Sequence, residues 1–351
     1  MRILIDTSYE RRGPSGTAVY LTQLIEAMRQ GGRVQVVTVA QRRRLRPGGA
    51  RNPLRSAVNA GLDLAWLHIG LPRAARACGA DVVHHPLPTR SRRIPVAQVS
   101  TVHDVAFLRL GEHYHPVWRR LAARSYRRAV RRCGAVVCVS RATARDVVEL
   151  LGAASGSVVV APHGPGQVDG LSSDGPVAGG PLVFVGDTEP RKNLPALLRA
   201  YAAYRTRASE GDGAPAPLVL AGAAADAAGA PGVSGLDRPE PAALLELLRG
   251  ARALVHPSLH EGFGLTLLEA MALGVPVVAL AGTGTRELCG DAALLVEPSE
   301  LSEAIERVAF DADLRAELSR RGLARAADFS WADSARAHER AYTLASAPPS
   351  P

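Results

Sequence analysis

The sequence predicts two doubly wound α/β domains in tandem, and three observations carry that reading. At 351 residues the chain is long for one ordinary domain and comfortable for two of roughly 150 to 180 residues each. Short apolar, β-branched runs alternate with segments of helical apolar period, the pattern of right-handed βαβ units around a parallel sheet. The alternation stops once, in the Gly-, Pro-, Ser- and Asp-rich residues 166–180, and then restarts. A composition of 47% hydrophobic and 21% charged residues suits buried cores and excludes a disordered or fibrous chain.

Taken in order, Arg2–Asp6 reads as a strand. A glycine-bearing loop follows, Arg12-Gly13-Pro14-Ser15-Gly16-Thr17, then a helix over about 17–30 with Val19, Leu21, Leu24, Ile25 and Met28 at helical spacing. Residues 34–40, 81–84, 97–103 and 135–140 are further strands, and a helix over 141–151 follows the last. Beyond the linker the spacing predicts strands over 182–186, 218–222, 253–256, 275–280 and 293–296, with helices over 193–207, 241–249 and 265–273 between them. Two helices, over 299–327 and 331–345, close the chain. The expected domains are therefore 1–165, a linker at 166–180, and 181–328, with 329–351 as a final helix and frayed tail. Ligands of such sheets bind outside the carboxyl ends of the strands, so the chemistry belongs in the loops that follow strands and in a cleft between the domains.

Charge is unevenly spread. The net charge is +9, yet residues 1–165 hold 26 arginines against 9 acidic residues, a net of +17, and the rest of the chain nets −8. Lys192 is the only lysine. The segment 116–133 reads as an amphipathic helix with Trp118, Leu121, Ala122, Ser125, Tyr126, Ala129 and Cys133 packed inward. Arg119, Arg120, Arg124, Arg127, Arg128, Arg131 and Arg132 face outward. That face is a candidate for an anionic membrane surface or a lipid-phosphate acceptor, the alternative being a solvated surface helix. With 4% aromatic residues and no nucleic-acid motif, nucleic acid is not the expected partner. No apolar run is long enough to span a membrane and the first residues carry no signal-peptide pattern, so the expected location is the cytoplasm, with peripheral membrane contact. Cys78, Cys133, Cys138 and Cys289 have no metal spacing, and neither a metal nor another cofactor is expected.

The sharpest constellation is His260-Glu261-Gly262-Phe263-Gly264-Leu265-Thr266-Leu267-Leu268-Glu269. A strand, Leu254-Val255-His256, runs into a loop that opens a helix. Gly262 and Gly264 let backbone approach a ligand, and the free N–H groups of the first turn make an anion site. Glu261 sits in the loop, where a carboxylate is also favoured simply by the helix dipole. Glu269 lies about a turn further in. Arg191 and Lys192, two adjacent cations, follow the first strand of the second half, where the plain alternative is a pair of solvated residues at a helix start. His103 ends a strand of the first half, and Asp104 beside it reads as orienting its loop.

Glu261 and Glu269, eight residues apart in this setting, resemble the signature of retaining glycosyltransferases of the GT-B fold, family four (group 1). Other segments agree: Val185-Gly186-Asp187-Thr188-Glu189-Pro190-Arg191-Lys192-Asn193 resembles the opening of that family's second domain, Val102-His103-Asp104 and Val139-Ser140 resemble motifs of its first, and Phe329-Ser330-Trp331 resembles the start of its last helix. Asp187 departs from the arginine many members carry there, and His163 stands where the family usually has asparagine. The resemblance implies two Rossmann-like domains facing a cleft and transfer of a hexose from a nucleotide-diphosphate sugar, GDP-mannose first and a UDP-hexose second, to a glycan, lipid or small-molecule acceptor. It implies donor contacts by Glu189, Gly262, Phe263, Gly264, Leu265 and Glu269, with Glu269 on the ribose. Glu261 and His103 would meet the donor sugar, Arg191 and Lys192 the leaving diphosphate, and Gly13 and Gly16 the diphosphate and acceptor. The alternatives are another enzyme on the same scaffold, an epimerase or a phosphorylase, and a non-catalytic polyanion-binding or partner protein.

Overall fold

A computed structural model describes residues 1–10, 15–45, 53–168, 177, 179–210 and 213–347. The chain divides into two units. Met1–Leu108, Tyr114–His163 and everything from Trp331 onward form the first; Gly164–Ser330, with Arg109–His113, forms the second.

In the first unit the order is β1 (Arg2–Asp6), α1 (Gly16–Gly31), β2 (Gln35–Val39), α2 (Pro53–Ala65), one π-helical turn at Trp66–Gly70, α3 (Leu71–Ala77), β3 (Val82–His85), β4 (Ala97–Val102), α4 (Ala106–Arg109), α5 (Pro116–Val130), β5 (Ala135–Cys138), α6 (Arg141–Leu151) and β6 (Val158–Val160). The strands form one parallel sheet in the order β2-β1-β3-β4-β5-β6. Strands buried on both sides read as unbroken Val/Ile/Leu runs, as Ile3, Leu4 and Ile5 of β1 and Val136 and Val137 of β5 do. Helix starts are locally encoded. Ser15 accepts from the Ala18 amide ahead of α1, and Ser140 accepts from that of Thr143 ahead of α6.

The second unit runs β7 (Leu182–Val185), α7 (Leu194–Glu210), β8 (Leu218–Ala221), β9 (Val233–Leu236), α8 (Pro241–Arg249), β10 (Ala253–His256), α9 (Leu265–Ala272), β11 (Val277–Leu280), α10 (Thr283–Cys289), β12 (Leu294–Val296), α11 (Leu301–Phe310) and α12 (Ala312–Ala326). Its parallel sheet has the order β12-β11-β10-β7-β8-β9. The strand order therefore reverses between β7 and β10, the doubly wound arrangement with its switch point there. Leu182, Phe184, Leu197, Tyr201, Tyr204, Leu220, Val255, Val278 and Ile305 fill the core between the sheet and helices α7 and α11. Helix α13 (Trp331–Ser346) then joins the first unit, where Ala335, Ala337, Ala341 and Tyr342 pack with Ile3, Ile5, Tyr20, Leu24, Val99 and Val137.

Three expectations are corrected. The helix expected over 299–327 is two helices, because Asp311 leaves helical conformation and its carboxylate takes the Leu314 amide at 2.8 Å, starting α12 afresh. Between the strands expected over 275–280 and 293–296, with no helix expected between them, lies α10, with Gly282 just ahead of it. Helix α5 packs through Ala123, Ala129 and Val130, with Ala122 and Tyr126 beside them; Trp118, Leu121 and Ser125, expected inside, are exposed. Among the described residues, no helix is long and apolar enough to cross a membrane.

Candidate active site

The strongest cluster of functional side chains lies at the switch point of the second sheet. The turn after β7 carries Glu189, Arg191 and Lys192, and the loop after β10 carries Glu261. The parallel pairing of β7 with β10 brings both to the same sheet edge, and the Leu259 amide bonds the Arg191 carbonyl at 2.8 Å to tie loop to turn. Asn193, at φ 54°, ends that turn in the left-handed region that asparagine tolerates.

Three donors converge on one oxygen. Glu261 Oε1 takes Lys192 Nζ at 2.7 Å, His256 Nε2 at 2.9 Å and Arg191 Nη1 at 3.2 Å. Arg191 Nε also donates to Glu189 Oε2 at 2.9 Å. Glu261 is only 8% exposed. Burial works against its charge, but Lys192, the His256 hydrogen bond and Arg191 outweigh it and hold the carboxyl well below the usual range. His256 lies at the end of β10; burial depresses its basicity, with the Glu261 bond acting the other way and Lys192 and Arg191 with burial. The imidazole is then neutral at neutral pH and donates a hydrogen bond from Nε2–H to the carboxylate. With Glu189 and Glu261 against Arg191 and Lys192 the cluster is formally balanced, and it holds two cations in place at the mouth of the strands, the kind of group suited to a diphosphate.

The approach of the next helix is just as specific. A Cβ on Gly284, in α10, would fall 2.0 Å from the Glu261 carbonyl, so only glycine lets α10 lie against this loop. Gly264, at φ 99°, turns the chain into α9, whose first amides have no carbonyl behind them. Gly262 is buried, and Leu265 and Thr266 are partly exposed at that turn. Phe263 is turned inward: its ring meets that of Phe329 edge-on at 5.8 Å, and Arg325 stacks on Phe329 at 4.8 Å.

Glu269 sits one turn into α9 and is 8% exposed. Burial pushes its carboxyl up to about 7, opposed by a hydrogen bond from the Gln167 backbone. A Cβ on Gly166 would strike its Oε1, so the chain after the first unit runs directly over this carboxylate.

The remaining candidates belong to the first unit. His103 follows β4; its Nε2 donates to the Pro86 carbonyl at 3.0 Å, its ring meets Tyr20 edge-on, and burial depresses its basicity. Asp104 takes the Ala106 amide at 3.0 Å, which fixes the loop. Gly16 is the exposed first residue of α1, and Gly13 lies outside the described residues. His163 is buried and stacks on Trp331 with ring centroids 5.3 Å apart. Sequence reasoning passed over His256, Gly284 and the Gly166–Gln167 backbone. For His256 a signal existed, since it is a polar residue ending a buried strand next to the Glu261 loop. Among the described residues no group of three or more His, Cys, Asp or Glu side chains is placed to hold a metal ion.

Comparison with known proteins bears on the family and the fold. A family model for glycosyl transferases of group 1 matches residues 180–325, and one for glycosyltransferase family 4 matches residues 14–165. The chain is 29% identical over 295 residues to the O-antigen chain mannosyltransferase B of Escherichia coli, covering 75% of this chain and 74% of that protein. It is 35% identical over 202 residues to the D-inositol 3-phosphate glycosyltransferase of Frankia alni, covering 51% of this chain and 48% of that one, so that match spans about half of each. Among solved structures, sucrose-phosphate synthase from Thermosynechococcus elongatus superposes with a TM-score of 0.73 at 18% identity, over 98% of both chains. Anabaena HepE in complex with UDP-glucose gives 0.70 at 18% identity, over 99% of this chain and 100% of that one. These likenesses show the GT-B fold.

Proposed function

The chain belongs to the group 1, family 4 glycosyltransferases, and from the carboxylate ringed by donors at the second unit's switch point we propose that it moves a hexose from a nucleoside diphosphate sugar to a hydroxyl acceptor with retention at the anomeric carbon. The observation that carries this reading is Glu261 Oε1 shared by Lys192, Arg191 and His256. It pre-sets two cations beside the amides that open α9, where a diphosphate fits, and leaves Oε2 for the hydroxyls of the donor sugar. Glu269 takes the ribose diol.

In the reaction, the bond from the anomeric carbon to the diphosphate breaks and its electron pair goes to the phosphate oxygen. Arg191 and Lys192 offset that charge, which is the part a divalent metal plays elsewhere, so turnover is metal-independent. The acceptor hydroxyl attacks from the same face and its proton passes to the leaving phosphate oxygen. No general base on the chain is then required. GDP-mannose is the first donor proposed, supported by the likeness to a mannosyltransferase, and a UDP-hexose is the second.

The test is a thermal-shift and turnover panel of GDP-, UDP-, ADP- and dTDP-sugars in EDTA, on the wild type and on Glu269→Ala. Binding at a hundred times Kd raises stability by about 2.7 kcal/mol. One nucleotide class should stabilise the wild type, the variant should lose the shift, and transfer should persist in EDTA. A rearranged donor sugar without acceptor would assign an epimerase, dependence on inorganic phosphate a phosphorylase, and no shift with any nucleotide would overturn the reading.

A further inference from the structure

Helix α5 presents two kinds of exposed residue on one face. Val117, Trp118 and Leu121 are 57%, 52% and 64% exposed, an apolar triplet within little more than a turn. Beside it on the same exposed arc stand Arg120, Arg124, Arg127 and Arg128, followed by Arg131 and Arg132 just past the helix end. Trp118 is not loosely placed: its ring stacks on Tyr114 at 5.7 Å and meets Phe107 edge-on at 5.6 Å, so the aromatic pair presents it at the surface. The arginines are crowded. The Arg128 guanidinium is held below its ordinary value chiefly by Arg92, with Arg132, Arg90 and Arg124 contributing. The helix contains no acidic residue, and the stretch 90–132 holds 11 arginines against Asp104 and Glu112 alone.

Clustered like charges repel, and exposed aromatic and aliphatic side chains beside them gain nothing from water. A duplex nucleic acid would answer the arginines and leave the apolar triplet unused. A surface that offers negative charge in one layer and hydrocarbon just beneath it answers both. We infer that this face of α5 docks the protein on an anionic lipid surface, with Val117, Trp118 and Leu121 entering the headgroup–acyl boundary and the arginines meeting lipid phosphates. The inference does not depend on the donor chemistry proposed above.

Co-sedimentation of the full chain with vesicles tests it, comparing pure phosphatidylcholine with an equal mixture of phosphatidylcholine and phosphatidylglycerol. The mixed vesicles should bind the protein and the neutral ones should not. The triple variant Arg120→Gln, Arg124→Gln, Arg128→Gln should weaken binding on the order of a hundredfold. The pair Trp118→Ser, Leu121→Ser should weaken it about tenfold or more while leaving duplex-DNA binding unaltered. All of these side chains are exposed, and an unchanged melting temperature confirms that each variant folds. Three results would overturn the inference: no binding of the wild type to the mixed vesicles, equal binding by the Trp118/Leu121 pair, or binding to duplex DNA at least as tight as to the vesicles with the same salt dependence. Failure here leaves donor turnover intact, and failure of donor turnover leaves vesicle binding intact, so the two readings fall separately.

Discussion

Glu261 organises its neighbours more than it resembles an isolated acid, and single substitutions separate these roles. Removing its charge in Glu261→Gln takes away the carboxylate that Lys192 and Arg191 share in a largely buried site and leaves Arg191 with Glu189, so both donor binding and turnover should fall, turnover by on the order of a hundredfold or more. His256 acts through that carboxylate. His256→Gln keeps an N–H near the position of Nε2 and should retain most activity. His256→Leu removes the donor from a buried carboxylate and should raise the donor KM and lower kcat together, at some cost in melting temperature that the Gln variant avoids. Equal kinetics in Leu and Gln variants would show that the bond has no bearing on the site. Glu269 adds a pH dependence. Its carboxyl titrates near about 7, and a ribose diol donates best to the ionised form. Donor affinity should therefore be full above that value and fall as pH drops through it, approaching tenfold per unit. Glu269→Gln should flatten the profile, and an unchanged slope in that variant would remove Glu269 from the ribose.

Helix α13 is fastened to the first sheet by a hydrogen-bond chain whose direction can be deduced from its end. His338 Nδ1 meets the Ser334 carbonyl at 2.8 Å, which only accepts, so Nδ1 carries the proton and Nε2 accepts from Tyr20 Oη at 2.8 Å. Tyr20 Oη must then accept from Thr101 at 2.9 Å, Thr101 from His84 Nε2 at 2.9 Å, and His84 Nδ1 from Tyr342 Oη at 2.9 Å. The chain leaves α13 at Tyr342, crosses β3, β4 and α1, and returns to α13 at His338, with every member buried. Adding a proton to either imidazole places a donor where an acceptor is needed. Burial, aided by neighbouring imidazoles, keeps them neutral: His338 is pushed down to about 4 and His84 well below its ordinary value, with His85 and His163 also depressed. Unfolded histidine binds a proton near 6.5, so below that pH the unfolded chain holds more protons and stability falls until the folded value is reached. Each such histidine contributes about 1.4 kcal/mol per pH unit over that span. Acid melts should show this slope, and His338→Gln should reduce it; equal slopes in the two would mean the chain does not carry the acid sensitivity. Little of this was legible in the sequence, since a lone His or Tyr on an apolar face announces no partner more than two hundred residues away. Periodicity did place most strands and helices. It missed two edge strands, β6, only three partly buried residues long, and β9, largely exposed and lacking an apolar pattern, and it ran α11 and α12 together because the apolar period continues across Asp311. It also misjudged α5, where small alanines form the packed stripe and the large apolar residues stay outside. At the candidate site the two glutamates and the two cations were readable from spacing and resemblance, whereas their convergence on a single oxygen depends on β7 lying beside β10, which no local pattern encodes.

The two units differ in how the chain builds them. The second is almost one continuous segment, Gly164–Ser330, whereas the first is completed by residues that follow it. Excision should therefore have unequal consequences. A fragment of residues 164–330 retains both glycine-flanked loops, Arg191, Lys192, His256, Glu261 and Glu269, along with its whole sheet. It should melt cooperatively and keep a nucleotide-dependent thermal shift. A fragment of residues 1–163 lacks α13, and with it the packing of Ala335, Ala337, Ala341 and Tyr342, worth on the order of 5 kcal/mol by apolar area. It also leaves Tyr20, His84 and Thr101 with buried polar atoms and no return to α13. Because a domain's whole stability is only about 5–15 kcal/mol, that loss is comparable to the total, and the fragment should not fold by itself. Adding a peptide spanning 331–347 in trans should restore a cooperative transition, at a midpoint that rises with peptide concentration. A sharp melt of 1–163 without the peptide would show that the sheet and α1 hold without their C-terminal partner, and the role assigned to the hydrogen-bond chain would then be withdrawn.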